Sequence, residues 1–81
     1  MHENYNDPID VVVDFVENRV RPLSFRWAGS SYTIEKVNLI HSTREGAKKV
    51  FFFSVSDQEN AFKLRFDPES LKWHIMELYT A

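Results

Sequence analysis

The side chains that could do chemistry in this chain are few and scattered. His2, His41 and His74 lie far apart, and none has metal-ligand spacing with another. His2 falls in a polar start, His41 at a strand end, and His74 on the outward phase between Trp73 and Ile75. Each reads as a solvated or hydrogen-bonded imidazole. There is no Cys, which removes disulfides, thiolate zinc sites and cysteine nucleophiles, and no G-x-S-x-G serine motif occurs. Asp10 and Asp14 share one side of an alternating segment. One such pair falls short of the roughly six to eight oxygens calcium takes, so pairing with neighbouring arginines is the natural role. No catalytic residue, metal site, cofactor or small-molecule substrate is expected. Catalysis needs a deep pocket with convergent polar groups, which strand alternation here does not supply.

Two outward-facing sets invite a binding reading instead. Strand registers read from the sequence put Phe52, Arg65 and Lys72 in one outward row and Ser54, Lys63 and His74 in the next. Like charges on adjacent strands repel unless they meet an anion, and Phe52 adds a stackable ring among them. Cations around an aromatic on a β-surface are the format of single-stranded nucleic-acid readers, and Arg26 extends the set. A net charge of −2 and a pI near 5.9 rank this reading second. The competing set is apolar: Val12, Val16, Val20, Val50 and Phe52 all fall on the outer phase, as a face for a protein partner or a homodimer would. The rival for that set is cover by the terminal segment with Met76 and Leu78.

The elements that position these residues are read from periodicity. Ile9, Val11, Val13 and Phe15 alternate with Asp10, Val12, Asp14 and Val16, a strand pattern rich in β-branched residues. The alternative is a helix with Asp7 as N-cap and Pro8 at its first position, ranked second because three successive valines suit a helix poorly. Across the "ENR" loop, pairing Val16 with Val20 sets Val11 against Phe25, Ile9 against Trp27 and Asp10 against Arg26. A slip of one residue would destroy that match. In "FRWAGSSYTIEKV", a Gly29-Ser30 turn pairs Trp27 with Tyr32, while an Ala28-Gly29 turn shifts the register by two and keeps the face. The phase change between Ile34 and Val37 predicts a bulge near Glu35-Lys36. "HSTREGAKK" reads as a polar loop. Phe51, Phe53 and Val55 then face Phe66, Leu64 and Phe62 across "DQEN", and a type I turn at "DPES" sets Phe66 against Leu71 and Leu64 against Trp73.

These readings add up to an all-β chain: a six-stranded antiparallel up-and-down meander with little helix. Its aromatic face calls for a strongly curled sheet or an SH3-like half-open barrel. Residues 1–7 read as a flexible N-terminus and 8–81 as a single β domain. With 81 residues, only about 60–65% of the unfolded surface can be buried, so seven Phe, three Tyr and two Trp matter individually. The start "MHENYNDPID" lacks the features of a signal peptide, and no apolar run nears the roughly 20 residues that cross a bilayer. A cytoplasmic protein with no membrane partner is the expectation. Charge is uneven: residues 1–17 carry five carboxylates and no Lys or Arg, while the rest carries ten basic and seven acidic side chains.

The run Pro8-Ile9, Pro22, Phe25-x-Trp27-x-Gly29-x-x-Tyr32-x-Ile34-x-x-Val37 and the late Trp73-x-Ile75 resembles a family of small uncharacterised bacterial all-β domains. These have an F-x-W-x-G-x-x-Y-x-V hairpin core, and some occur near translesion DNA polymerase components. The resemblance spans residues 8–75 and implies no catalytic residues. The function expected from the residues is a non-enzymatic binding or accessory module. Protein interaction or self-association comes first and single-stranded nucleic-acid binding second.

Overall fold

Fifteen residues, His2–Val16, form β1, and this strand organises the rest. In the computed structural model, which describes residues 1–80, it is followed by β2 (Arg19–Trp27), β3 (Ser30–Thr33), β4 (Lys36–Glu45), β5 (Lys48–Ser56), β6 (Asn60–Asp67) and β7 (Lys72–Thr80). All neighbours are antiparallel, in the order β3-β2-β1-β7-β6-β5-β4. The first half of β1 pairs with β7, from His2 opposite Tyr79 to Ile9 opposite Trp73. Its second half pairs with β2, from Asp10 opposite Arg26 to Val16 opposite Arg19. The alternation around Val11–Val13 is therefore that of a strand, and the helical alternative does not form.

The sheet corrects the expected architecture. There are seven strands, not six, because the expected third strand breaks at Ile34-Glu35 into β3 and β4; "HSTRE" also continues β4 to Glu45, and the polar loop shrinks to Gly46-Ala47. The order is not sequential: two meanders, β1–β3 and β4–β7, are joined through the β1–β7 ladder. Nor is the sheet a strongly curled or SH3-like half-open barrel. It is open, with β3 and β4 as separate edges that share no ladder among the described residues. An aromatic face can be covered without curling or closing the sheet. Here the β1–β2–β3 section covers it. Only Ile34 and Glu35 separate β3 from β4; the Ile34 N–H donates to the Leu23 carbonyl at 2.9 Å and the Glu35 N–H to the Ser56 carbonyl at 3.0 Å. The phase change expected as a bulge near Glu35-Lys36 is this passage between sections, and the bulge itself lies between Val37 and Leu39.

The core follows from alternation. Phe53 and Val55 on β5, Phe62, Leu64 and Phe66 on β6, and Trp73 and Ile75 on β7 join Ile9 and Phe25 in one buried cluster. Phe25 meets Phe62 edge-on at 5.0 Å and stacks on Tyr32 at 5.1 Å, so rings from β2, β3 and β6 lock the two sections together.

Local turn chemistry decides the registers. The β5–β6 pairing is as read, with Phe53 opposite Leu64. The β1–β2 turn is two residues, Glu17 and Asn18, both at positive φ (54° and 63°), so Val16 meets Arg19. An irregularity between Val12 and Val13 absorbs the difference and keeps Val11 opposite Phe25. In the next hairpin the Ala28-Gly29 turn wins, with φ of 52° and 80°, and Phe25 faces Tyr32. The β6–β7 pairing differs from expectation by two residues: Phe66 meets Trp73 because Pro68–Leu71 all lie in the loop. Asp67 holds that loop by accepting the Glu69 N–H at 2.9 Å, while Leu71 closes it at φ 61°.

Two stability changes are expected. Phe25→Ala, at a site only 1% exposed, should lose about 3–5 kcal/mol in urea unfolding. Ala28→Gly should gain about 1 kcal/mol, since a left-handed conformation costs an L-residue roughly that much more than glycine. An unchanged midpoint in either variant would contradict the packing or the turn described.

Candidate functional site

The outer face of the larger section carries most residues singled out from the sequence. The registers align His41, Phe52, Arg65, His74 and Pro8 in one row across β4, β5, β6, β7 and β1. His41 stacks on Phe52 with centroids 5.3 Å apart, and the Lys63 ammonium lies 5.8 Å from the centre of the same ring. Phe52, Lys63, Arg65 and His74 are thus brought together. Lys72 is not in that row: the two-residue register difference sets it opposite Asp67, and His74 takes its place beside Arg65. Lys63 correspondingly meets Glu77 instead of His74. Arg26 lies on β2 of the other section, exposed and opposite Asp10.

Three cations of this face already have anions. Lys63 pairs with Glu77 at 3.0 Å, Arg65 with Glu45 at 2.5 Å and Lys48 with Asp67 at 2.8 Å. Glu77 also accepts from the Tyr79 hydroxyl at 2.5 Å and contacts His2 at 2.8 Å. The Tyr79 hydroxyl and the Lys63 ammonium, with His2, hold the Glu77 carboxyl down at about 2 against the opposing effect of burial. Asp67 is held well below the usual carboxylate range, chiefly by Lys48 and further by the Glu69 and Ser70 backbone N–H groups. On the other section, Asp14 accepts two bonds from Arg21 at 3.0 and 2.7 Å. Among the described residues no group of three or more His, Asp or Glu is arranged to hold a metal ion. No helix among them is long and apolar enough to cross a membrane.

The apolar set is divided by the structure. Val12 and Val16 are exposed on β1, and Phe52 is half-buried beneath His41 and Lys63. Val50 has no exposed surface at all. By alternation it shares the outer face with Lys48 and Phe52, where the Lys48–Asp67 and Arg65–Glu45 pairs flank it. Val20 faces inward, because the two-residue turn shifts its phase, and it lines a groove that the sequence reading missed.

That groove lies at the end of the molecule bearing the Glu17-Asn18 turn. Its first lobe, about 450 Å³, is lined by Asn18, Arg19, Val20, Ile40, Phe51, Phe53, Phe66 and Pro68. A second lobe of similar volume shares Val20 and Phe66 and reaches Ile9, Val11, Val13 and Trp73. The only hint in the sequence is Phe15 and Leu71, inward-phase residues beside turns; both stand at the second lobe, 74% and 72% exposed.

Comparison with known proteins finds no match among family models, curated proteins or solved structures. The resemblance carried by Phe25-x-Trp27-x-Gly29-x-x-Tyr32 therefore rests on those residues alone.

Two measurements check the outer face. Glu77 titrates below its ordinary value of 4.5, so its stabilisation is present above that pH and is lost as pH falls toward about 2. Glu77→Gln should lower stability at neutral pH and flatten the acid limb of the stability profile across that window. His74 Nδ1 is buried without a hydrogen-bond partner. His74→Phe should raise stability by about 1 kcal/mol in urea unfolding, and a loss would show that the nitrogen is satisfied in solution.

Proposed function

We propose that this chain is a non-enzymatic interaction module that binds by strand addition at the free edge of β4, including to a second copy of itself. The observation that carries this reading is the edge itself. β4 is ten residues long, has a ladder on one side only, and is exposed at every residue except Val37. An unpaired edge presents a row of N–H and C=O groups ready for another chain. Charges sit toward its ends, at Lys36, Arg44 and Glu45, while Leu39-Ile40-His41-Ser42-Thr43 has no Lys, Arg, Pro or Gly to block pairing. An antiparallel pair of β4 strands centred between Ile40 and His41 sets Lys36 of one copy opposite Glu45 of the other, as a two-fold interface requires. The exposed Leu39 adds apolar surface on the outer side.

Single-stranded nucleic acid at Phe52, Lys63 and Arg65 is the second reading. The His41–Phe52 stack favours it, but Glu77 and Glu45 occupy the cations that would hold phosphates.

Sedimentation velocity over a wide concentration range tests the first reading. Wild type should associate reversibly, and Leu39→Lys/Thr43→Lys should remain monomeric with an unchanged circular dichroism spectrum. A wild type that stays monomeric throughout overturns self-association. Fluorescence anisotropy with a labelled oligonucleotide at low salt tests the second; binding lost in Lys63→Glu/Arg65→Glu would promote it.

A further inference from the structure

The open end of the molecule holds an apolar groove with Arg19 in its wall. Beyond Leu23, no strand covers β2 on the β3 side, and no Cα of β2 comes within 8 Å of β4. The gap exposes the two lobes described above, each about 450 Å³ and walled by aliphatic and aromatic side chains. Small-molecule sites fall in the range of roughly 300–1,000 Å³, apolar with a few placed polar groups.

The polar side chains lining the lobes are Asn18 and Arg19 in the first and Asp10 in the second, and two further cations stand beside the first. Arg19 stands on the β1–β2 side of the groove. On the other side Lys49 lies 5.3 Å from the centre of the Phe51 ring, which lines the first lobe, and Arg44 is directly opposite Lys49 on β4. Like charges directly opposite on paired strands destabilise a sheet unless something neutralises them. Among the described residues no carboxylate lies within ion-pair distance of Arg19, Arg44 or Lys49, whereas Arg21, Lys48, Lys63 and Arg65 are all paired. Arg26, Lys36 and Lys72 also have no carboxylate within that distance among the described residues, but they line neither lobe, whereas Arg19 lines the first lobe and Lys49 lies over the ring of its Phe51.

We infer that this groove binds a long-chain fatty-acid anion, its hydrocarbon chain between Val20, Phe53 and Phe66 and its carboxylate held by Arg19, Arg44 and Lys49. Arg19 in the wall of the first lobe and the Arg44–Lys49 pair beside its Phe51 come from separate elements, and one carboxylate would relieve the like charges of that pair. Guanidinium and ammonium donors form charge-assisted bonds to carboxylate, roughly twice as strong as neutral ones. Head and tail are therefore recognised by different residues, and the two contributions separate by substitution. The site goes beyond the β4-edge reading and does not depend on it.

The test is isothermal titration of the full chain with palmitate below its micelle concentration, and with hexadecanol in the same mixed solvent. Wild type should bind one palmitate per chain and prefer it to the alcohol. Val20→Trp, which fills the shared wall of the two lobes, should abolish both. Arg19→Ala/Arg44→Ala/Lys49→Ala should weaken palmitate by at least roughly tenfold while leaving hexadecanol unchanged. Urea unfolding of each variant establishes that it is folded; if Val20→Trp is not, Phe53→Ala replaces it and should weaken both ligands. The inference is overturned by no saturable palmitate binding to wild type, or by affinity unchanged in the triple variant. It is also overturned if the groove variants abolish dimerisation and wild type binds no palmitate, since a second copy then fills the groove. Failure of the β4-edge substitutions to alter sedimentation leaves this result untouched, so the two readings fail separately.

Discussion

Half of β1 is hydrogen-bonded to β7 and half to β2, and this division of one strand between two partners holds the molecule together. Without it, β1–β2–β3 and β4–β5–β6–β7 would be two separate meanders, each with one aromatic face in water. The two-residue passage at Ile34-Glu35 supplies the second tie, because β3 and β4 are opposite edges of the same sheet. Two ties at different places leave one way to satisfy both: the short section lies over the long one. The Phe25, Tyr32 and Phe62 rings then meet. In a chain of 81 residues such contacts are a large part of a small net stability.

The same arrangement divides the surface. On the outer face of the long section three cations are paired. Glu45, Asp67 and Glu77, drawn from three different strands, each hold a cation. Carboxylates of this kind are worth little individually when exposed; Asp67, with a side chain only 6% exposed, is better shielded from solvent screening. The open end is the reverse case. There the covering section stops short, the apolar lining continues to the surface, and three cations lack a partner within reach. The groove follows from one geometric fact, namely that β3 has only four residues and cannot cover the nine of β2.

The sequence alone determined the all-β class, the strand nature of residues 9–16, the inward set from Phe51 to Phe66, and the β5–β6 register. The physical reason is that side-chain alternation is local: it needs only the period of the backbone and a solvent to exclude apolar groups. It also narrowed the β2–β3 hairpin to two registers of the same face, which only the positive φ of Ala28 and Gly29 separates. Where the loop chemistry departs from expectation, at Glu17-Asn18 and at Pro68–Leu71, the pairing differs by one or two residues, and with it the partners of Val16, Val20 and Lys72. The polar β4 was missed as a strand from His41 onward because an edge strand exposed on almost every residue has no apolar period to show. Tertiary structure decided the β1–β7 ladder, the open seven-stranded order, the burial of Val50, the ion pairs of Arg21, Lys48, Lys63 and Arg65, and the groove. Each of these depends on which distant segments come to lie side by side, and periodicity within a segment carries no information about that.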